Sequence, residues 1–279
     1  EQRAIYAICI ETDCSLKTLP NIRELRIDEI GDVALRDVDV TDLLGREEIV
    51  LDTRIASSYV SGKPVLVTGG GGSIGSELCR QLAKVAPARI IIFDMYENDA
   101  YMLQQELRRE YGDIDVVVEI GNVCDEVRMA EIFDQYEPRV VFHAAAHKHV
   151  PLMEMCPREA IQNNVFGTLN VVREADRHGV DRFIFISTDK AVNPTSVMGA
   201  TKRMGEMVLQ YYARASKTVF SAVRFGNVLG SNGSVIPVFK RQIASGGPLT
   251  ITHPDIERFF MTIPEAVRLV IQAGGIAQG

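Results

Sequence analysis

From Lys63 onward, short apolar runs alternate with longer stretches in which apolar residues recur every three or four positions. The runs at 65–68, 89–93, 115–119, 140–143, 182–186 and 219–224 have strand character, and the stretches 74–85, 99–111, 126–136, 160–178 and 195–213 have the helical period. Strands apolar along their whole length need cover on both faces, and alternation with helices supplies it. The pattern therefore predicts an α/β fold, a doubly wound parallel sheet between helical layers. Beyond Gly226 the alternation fades into Gly- and Pro-containing loops, with helices expected near 236–244 and 264–272. Residues 1–60 fit neither period: an apolar run at 5–10, a Leu19-Pro20 break and an acidic stretch at 37–42. The expected division is 1–62 as the end of a preceding unit plus linker, 63–225 as the sheet domain and 226–279 as part of a smaller C-terminal substrate lobe.

Composition narrows the classes. With 30 Lys+Arg against 37 Asp+Glu, the formal net charge of −7 argues against a broad nucleic-acid-binding surface. There is no Trp, so a stacking platform for bases would have few rings to use. The five cysteines are scattered without CxxC spacing, which indicates neither a disulfide framework nor a zinc ribbon and points to a reducing compartment. No apolar run reaches the ~20 residues of a membrane span, and no signal peptide opens the chain. The first residue is Glu1, as expected of a fragment or a processed form.

Between the first strand and its helix stands Thr68-Gly69-Gly70-Gly71-Gly72-Ser73-Ile74-Gly75. Backbone N–H groups at such a helix start bind pyrophosphate, and glycines let it approach. Gly69, Gly72, Ser73, Ile74 and Gly75 are the candidate contacts. Asp94, ending the second strand, can accept hydrogen bonds from an adenosine ribose, which favours NAD over NADP. The bland alternative is a tight turn followed by a surface carboxylate. A kinase-type phosphate loop is excluded, because Ser76 stands where its lysine belongs. Asn122 and Val123 end the third strand, and Ala144 and Ala145 follow the fourth, leaving room for a dinucleotide of a Rossmann-type fold. His143, His147 and His149 lack a matching carboxylate or thiolate set, so no metal site is expected.

These glycines, Asn164-Val165-Phe166-Gly167-Thr168 and the Ser/Thr end of the fifth strand resemble the extended short-chain dehydrogenase/reductase superfamily. Ser187-Thr188-Asp189-Lys190-Ala191-Val192-Asn193-Pro194, His147-Lys148-His149-Val150-Pro151-Leu152 and Arg224-Phe225-Gly226-Asn227-Val228-Leu229-Gly230-Ser231 are similar to its nucleotide-sugar 4,6-dehydratases. The best match is the large, membrane-anchored UDP-N-acetylglucosamine 4,6-dehydratase (CapD-like) group of polysaccharide synthesis. That resemblance implies a preceding Rossmann-like domain ending within 1–62, and a parent held at the cytoplasmic face of the bacterial inner membrane by segments outside this soluble chain. It also implies a homodimer or higher homo-oligomer and a UDP-N-acetylhexosamine substrate.

The resemblance implies the site roles as well. Lys190 is the base at C5, Asp189 the acid for the C6 hydroxyl, Thr188 the contact to the 4-hydroxyl and Lys202 the contact to the nicotinamide ribose. Met198 stands where most relatives carry the tyrosine of a Tyr-x-x-x-Lys pair, and a thioether cannot take a proton. Lys148, Asn227 and Arg258 would contact substrate, the last two at the diphosphate, and Val235 and Pro237 would border the uracil. Without the surrounding motif, Asp189 and Lys190 would read as an exposed turn pair. A C4 epimerase of the same fold and a non-catalytic nucleotide-sugar or dinucleotide sensor are the rival functions.

Overall fold

The computed structural model describes residues 8, 9, 12, 17, 18, 36, 37, 52–231, 235–251, 253–255 and 258–278. The chain divides into two compact units, 1–48 and 49–279. In the first, Lys17–Thr18 pairs antiparallel with Arg36–Asp37. The apolar run at 5–10, the Leu19-Pro20 break and the acidic stretch at 37–42 fall largely outside the described residues.

In the second unit the elements are α1 (Thr53–Val60), β1 (Pro64–Thr68), α2 (Ser73–Ala83), β2 (Arg89–Asp94), α3 (Glu97–Glu110), β3 (Asp115–Ile120), α4 (Glu126–Tyr136) and β4 (Val140–His143). They continue with α5 (Val150–Met155), α6 (Pro157–Ile161), a π-helical segment Gln162–Gly167, α7 (Thr168–Arg177), β5 (Arg182–Thr188) and α8 (Val197–Tyr212). The last are β6 (Val219–Phe225), β7 (Asn227–Val228), α9 (Val235–Ala244), β8 (Phe260–Met261) and α10 (Ile263–Ile276). Six strands form one sheet in the order β3-β2-β1-β4-β5-β6, parallel throughout. This is the doubly wound order, with its reversal between β1 and β4.

Pleating divides the apolar strands between two cores. Val65, Val67, Ile90, Ile92, Phe142 and Ile184 pack with α1, α2, α3 and α10 on one face. Leu66, Ile91, Phe93, Val141, Phe183 and Phe185 pack with α4, α7 and α8 on the other.

Two boundaries differ from expectation. Helix α1 belongs to the sheet unit and not to a preceding tail, because Ala56, Tyr59 and Val60 are buried in the first core and the Tyr59 hydroxyl donates to Ile271 O at 2.7 Å. Helix α10, expected in the substrate lobe, buries Val267, Val270 and Ile271 against the same face. Arg182 clamps its end by donating to Gly274 O and Ala277 O. The outlying part is thus the segment between β6 and α10, where α9 buries none of its residues.

The helix expected over 160–178 is broken by the π segment. Its extra residue per turn swings Asn164 inward, where the side chain is fully engaged. Gly167 is required there, since a Cβ would stand 2.7 Å from Val123 Cγ2.

Candidate active site

At the switch point the C-terminal ends of β1 and β4 splay into a cleft of about 250 Å³, lined by Gly69, Gly72, Asp94, Asn122, Val123, Ala144 and Ala145 among others. Close backbone approach explains the glycines. Gly69 has φ +67°, and a Cβ on it would lie 2.6 Å from Ala145 N. A Cβ on Gly75 would lie 2.1 Å from Gly69 O. Gly72 is the N-cap of α2 and brings no side-chain oxygen to the first turn, where Ser73 and Ile74 stand, so that helix end suits an anion. Ile74 itself packs against the core. Asp94, 7% exposed, accepts from Gly71 N at 2.8 Å and Tyr96 N at 3.0 Å, which aims its carboxylate across the glycine loop. Asn122 folds its Oδ1 back onto Cys124 N, whereas Val123 is buried.

Beneath the cleft lies a chain of side-chain hydrogen bonds. The Thr168 hydroxyl donates to Asn164 O at 2.7 Å, so its oxygen accepts from His143 Nε2–H at 2.9 Å. His143 Nδ1 then accepts from the Thr68 hydroxyl at 2.6 Å. Burial, reinforced by the Lys202 charge, lowers the pKa of this imidazole to about 3. His143 is a neutral structural link with both ring nitrogens hydrogen-bonded. Asn164 holds the next loop, accepting from His147 N and donating to His147 O and to Thr201 Oγ1.

Strand β5 delivers the second half of the site. It ends at Thr188, and a 3-10 turn, Asp189–Ala191, starts at once, so adjacent side chains leave the alternation of the pleat and face one place. Thr188 Oγ1 donates to Asp189 Oδ1 at 2.9 Å, and Lys190 Nζ reaches Asp189 Oδ1 at 3.0 Å and Asn227 Oδ1 at 3.3 Å. Burial opposes ionisation of Asp189, but the bonds from Lys190 and Thr188 prevail and hold its carboxyl below the ordinary range. Parallel pairing of β7 with β8 ties the segment carrying Arg258 to Asn227, whose N–H donates to Phe259 O at 3.2 Å.

Lys202, on α8, is 6% exposed, with Nζ 4.2 Å from the centre of the Phe185 ring. Burial lowers its pKa to about 7, against a partial rescue by Glu206. Met198, one turn earlier, is buried with Met153 and Ala160. An apolar cluster encloses its thioether. Lys148 is exposed on the loop after β4, and Val235 and Pro237 stand in the first turn of α9, away from any core.

The sequence pattern of the polysaccharide biosynthesis proteins matches residues 65–279. The chain belongs to that family. It is 53% identical over 277 residues, 99% of its own length and 46% of the relative's, to the capsular polysaccharide biosynthesis protein CapD of Staphylococcus aureus. The chain spans about half the length of such curated relatives. Family similarity extends to two shorter proteins with different reactions. One is a UDP-N-acetylglucosamine 4,6-dehydratase (inverting) of Campylobacter jejuni, 37% identical over 216 residues, 76% of this chain and 63% of the relative. The other is a UDP-glucose 4-epimerase of Rickettsia bellii, 38% identical over 218 residues, 76% of this chain and 62% of the relative. Among solved structures, Pen from Bacillus thuringiensis superposes with a TM-score of 0.74 at 36% identity, covering 79% of this chain and 70% of its own.

Residues absent from the sequence-derived site are Asn163, Asn164 and Glu206. Asn163 lines the cleft, Asn164 holds its rim and Glu206 ties β5 to β6. Asn164 lay inside a quoted motif. Glu206 had a weaker signal, a carboxylate on the inward stripe of Met198, Lys202 and Leu209.

Proposed function

We propose that this chain carries an NAD-dependent nucleotide-sugar 4,6-dehydratase site that converts UDP-N-acetylglucosamine to its 4-keto-6-deoxy derivative. The supporting observation is the convergence of Thr188, Asp189, Lys190 and Asn227 at one end of β5, next to a cleft whose glycines and alanines exclude side chains. The steric demands at Gly69 and Gly75 and the carboxylate of Asp94 fit a dinucleotide with an unphosphorylated ribose. Bound NAD supplies an acceptor for the C4 hydride and a donor to C6.

The protein's own groups handle protons. In the free protein Lys190 and Asp189 form an ion pair at 3.0 Å. Substrate entering between them desolvates Asp189 and favours the neutral pair, an amine and a carboxylic acid. Lys190 Nζ then takes the C5 proton and Asp189 gives its proton to the departing C6 hydroxyl, which leaves as water and restores the ion pair. Thr188 steers the 4-hydroxyl, Lys202 the cofactor ribose, and Asn227 with Arg258 the diphosphate. The exposed Met204, Met207 and Tyr211, three and four residues apart on α8, form a surface suited to a homodimer.

Incubation with UDP-N-acetylglucosamine and NAD, followed by product mass, tests the reading. Loss of one water is expected. Lys190→Ala and Asp189→Asn should each cut turnover roughly 10²- to 10⁴-fold. An isomer of unchanged mass would assign the epimerase chemistry of the Rickettsia relative instead, and binding without turnover would leave a sensor.

A further inference from the structure

Glu206 is the most heavily bonded side chain near the site, and the proposed chemistry does not use it. Its side chain is 4% exposed. One oxygen accepts from Ser187 Oγ at 2.6 Å and Arg224 Nε at 2.7 Å; the other accepts from Arg224 and from Arg203 Nη1 at 2.8 Å. Ser187 and Arg224 face each other across β5 and β6. Each lies just before the residues in question: Ser187 precedes Thr188, Asp189 and Lys190, and Arg224 lies three positions before Asn227. One carboxylate thus fixes both strand ends from which the candidate groups project.

It also stands one helical turn after Lys202, on the same face of α8. The ammonium lies over an aromatic ring and makes no hydrogen bond among the described residues, so its surroundings reach it mainly as charge. We propose that Glu206 is a positioning residue which locks the ends of β5 and β6 in register beneath Thr188, Asp189, Lys190 and Asn227 while supplying the counter-charge to Lys202. For its link to turnover this rests on the dehydratase reading; the geometry and the charge do not.

The other charged or titratable groups around this pair are Arg203 on α8, Arg224 from β6, His143 from β4, Asp189 and Lys190 from the turn after β5, and Glu154 from α5 at the start of α8. His143 stays neutral above pH 3, and the Asp189–Lys190 pair is internally balanced. Arg203 and Arg224 are bound to Glu206 itself. Removing the Glu206 charge therefore takes from Lys202 the anion one turn along α8 and leaves Arg203 and Arg224 without their shared carboxylate.

The test follows the Lys202 side-chain carbon signal by NMR against pH in lysine-labelled protein, with Lys202→Arg for assignment. In Glu206→Gln the titration point should fall by roughly one to two units, and Glu206→Asp should recover part of the fall. Arg224→Gln, which removes a cation and keeps Glu206, should move it the opposite way, and that variant decides the matter should Glu206→Gln fail to fold. An unmoved Lys202 in folded Glu206→Gln, or a fall in Arg224→Gln, would overturn the proposal. The alkaline limb of turnover should move with the NMR value. If the NMR shifts occur but the parent releases no water from substrate, the dehydratase reading fails and this one stands.

Discussion

The two halves of the site are built by different physics. On the β1–β2 side the cleft is shaped by what is missing: glycines at 69 and 75 where any Cβ would strike backbone, and alanines at 144 and 145. On the β5–β6 side it is shaped by ionised groups, with Asp189, Lys190, Lys202, Glu206 and Arg224 gathered around one strand end. The first half is shaped chiefly by sterics. The second is poised by electrostatics, so its chemistry depends on burial and neighbours.

The sharpest way to break the steric half is Gly75→Val. With a Cβ forced to 2.1 Å from Gly69 O, dinucleotide affinity should fall by at least about 10²-fold and stability by about 4 kcal/mol. Titration with NADH fluorescence and thermal unfolding measure both, and a variant that binds normally would remove the close-approach explanation.

Lys202→Met should separate function from stability on the other side. Turnover should drop at least about 10²-fold. The folded ammonium titrates near 7, whereas an unfolded lysine holds its proton to about 10.4. The unfolded state therefore binds the proton more tightly between those values, and parent stability rises with pH across that window. The variant should lose this slope and gain about 1–3 kcal/mol at pH 7 in urea unfolding.

His143→Gln probes the boundary between the halves. In the parent, unfolded imidazole takes its proton near pH 6.5 but the buried ring only near 3, so stability falls as pH drops below 6.5. Between pH 6 and 4.5 this residue contributes a slope of about 1.4 kcal/mol per unit, which the variant should lack. Below 4.5 a further loss belongs to Glu206: burial opposes its ionisation, yet bonds from Arg224, Ser187 and Arg203 push its pKa down to about 2. Its stabilisation is full above the ordinary carboxyl range and disappears as pH falls toward 2.

The smallest expected effect is the most diagnostic for the departure from the superfamily. Met198→Leu should change stability by less than about 1.5 kcal/mol and turnover by less than about twofold, because the side chain only fills the cluster with Met153 and Ala160. A large loss of rate at unchanged stability would give the thioether a catalytic role.

The inner strands such as β1 and β4 were legible because a parallel strand covered on both faces is apolar along its length, and the half-buried edge strands β3 and β6 because runs of Val and Phe persist between their polar residues. The glycine loop was legible for a similar reason: backbone proximity leaves a compositional mark. Helix α1 was not, because its eight residues gain their place from partners distant in sequence, Arg182 of β5 and Ile271 of α10 among them. The π segment was hidden too, as its apolar spacing matches an ordinary helix and only the demands of Asn164 and Gly167 break it. Met198 was flagged as unusual by its position, yet whether it faced substrate or core depended on how α5, α6 and α8 pack.

Local chemistry in the sequence thus determined the sheet, the glycine-rich turn and the residue types at the end of β5. Tertiary structure alone decided which of these groups meet: Lys202 and Glu206 are both buried, and Glu206 accepts from Ser187 and from the more exposed Arg224. The reason is range. Steric and periodic constraints act between neighbours along the chain, whereas ionisation is set by every dipole and charge that folding brings within a few ångströms.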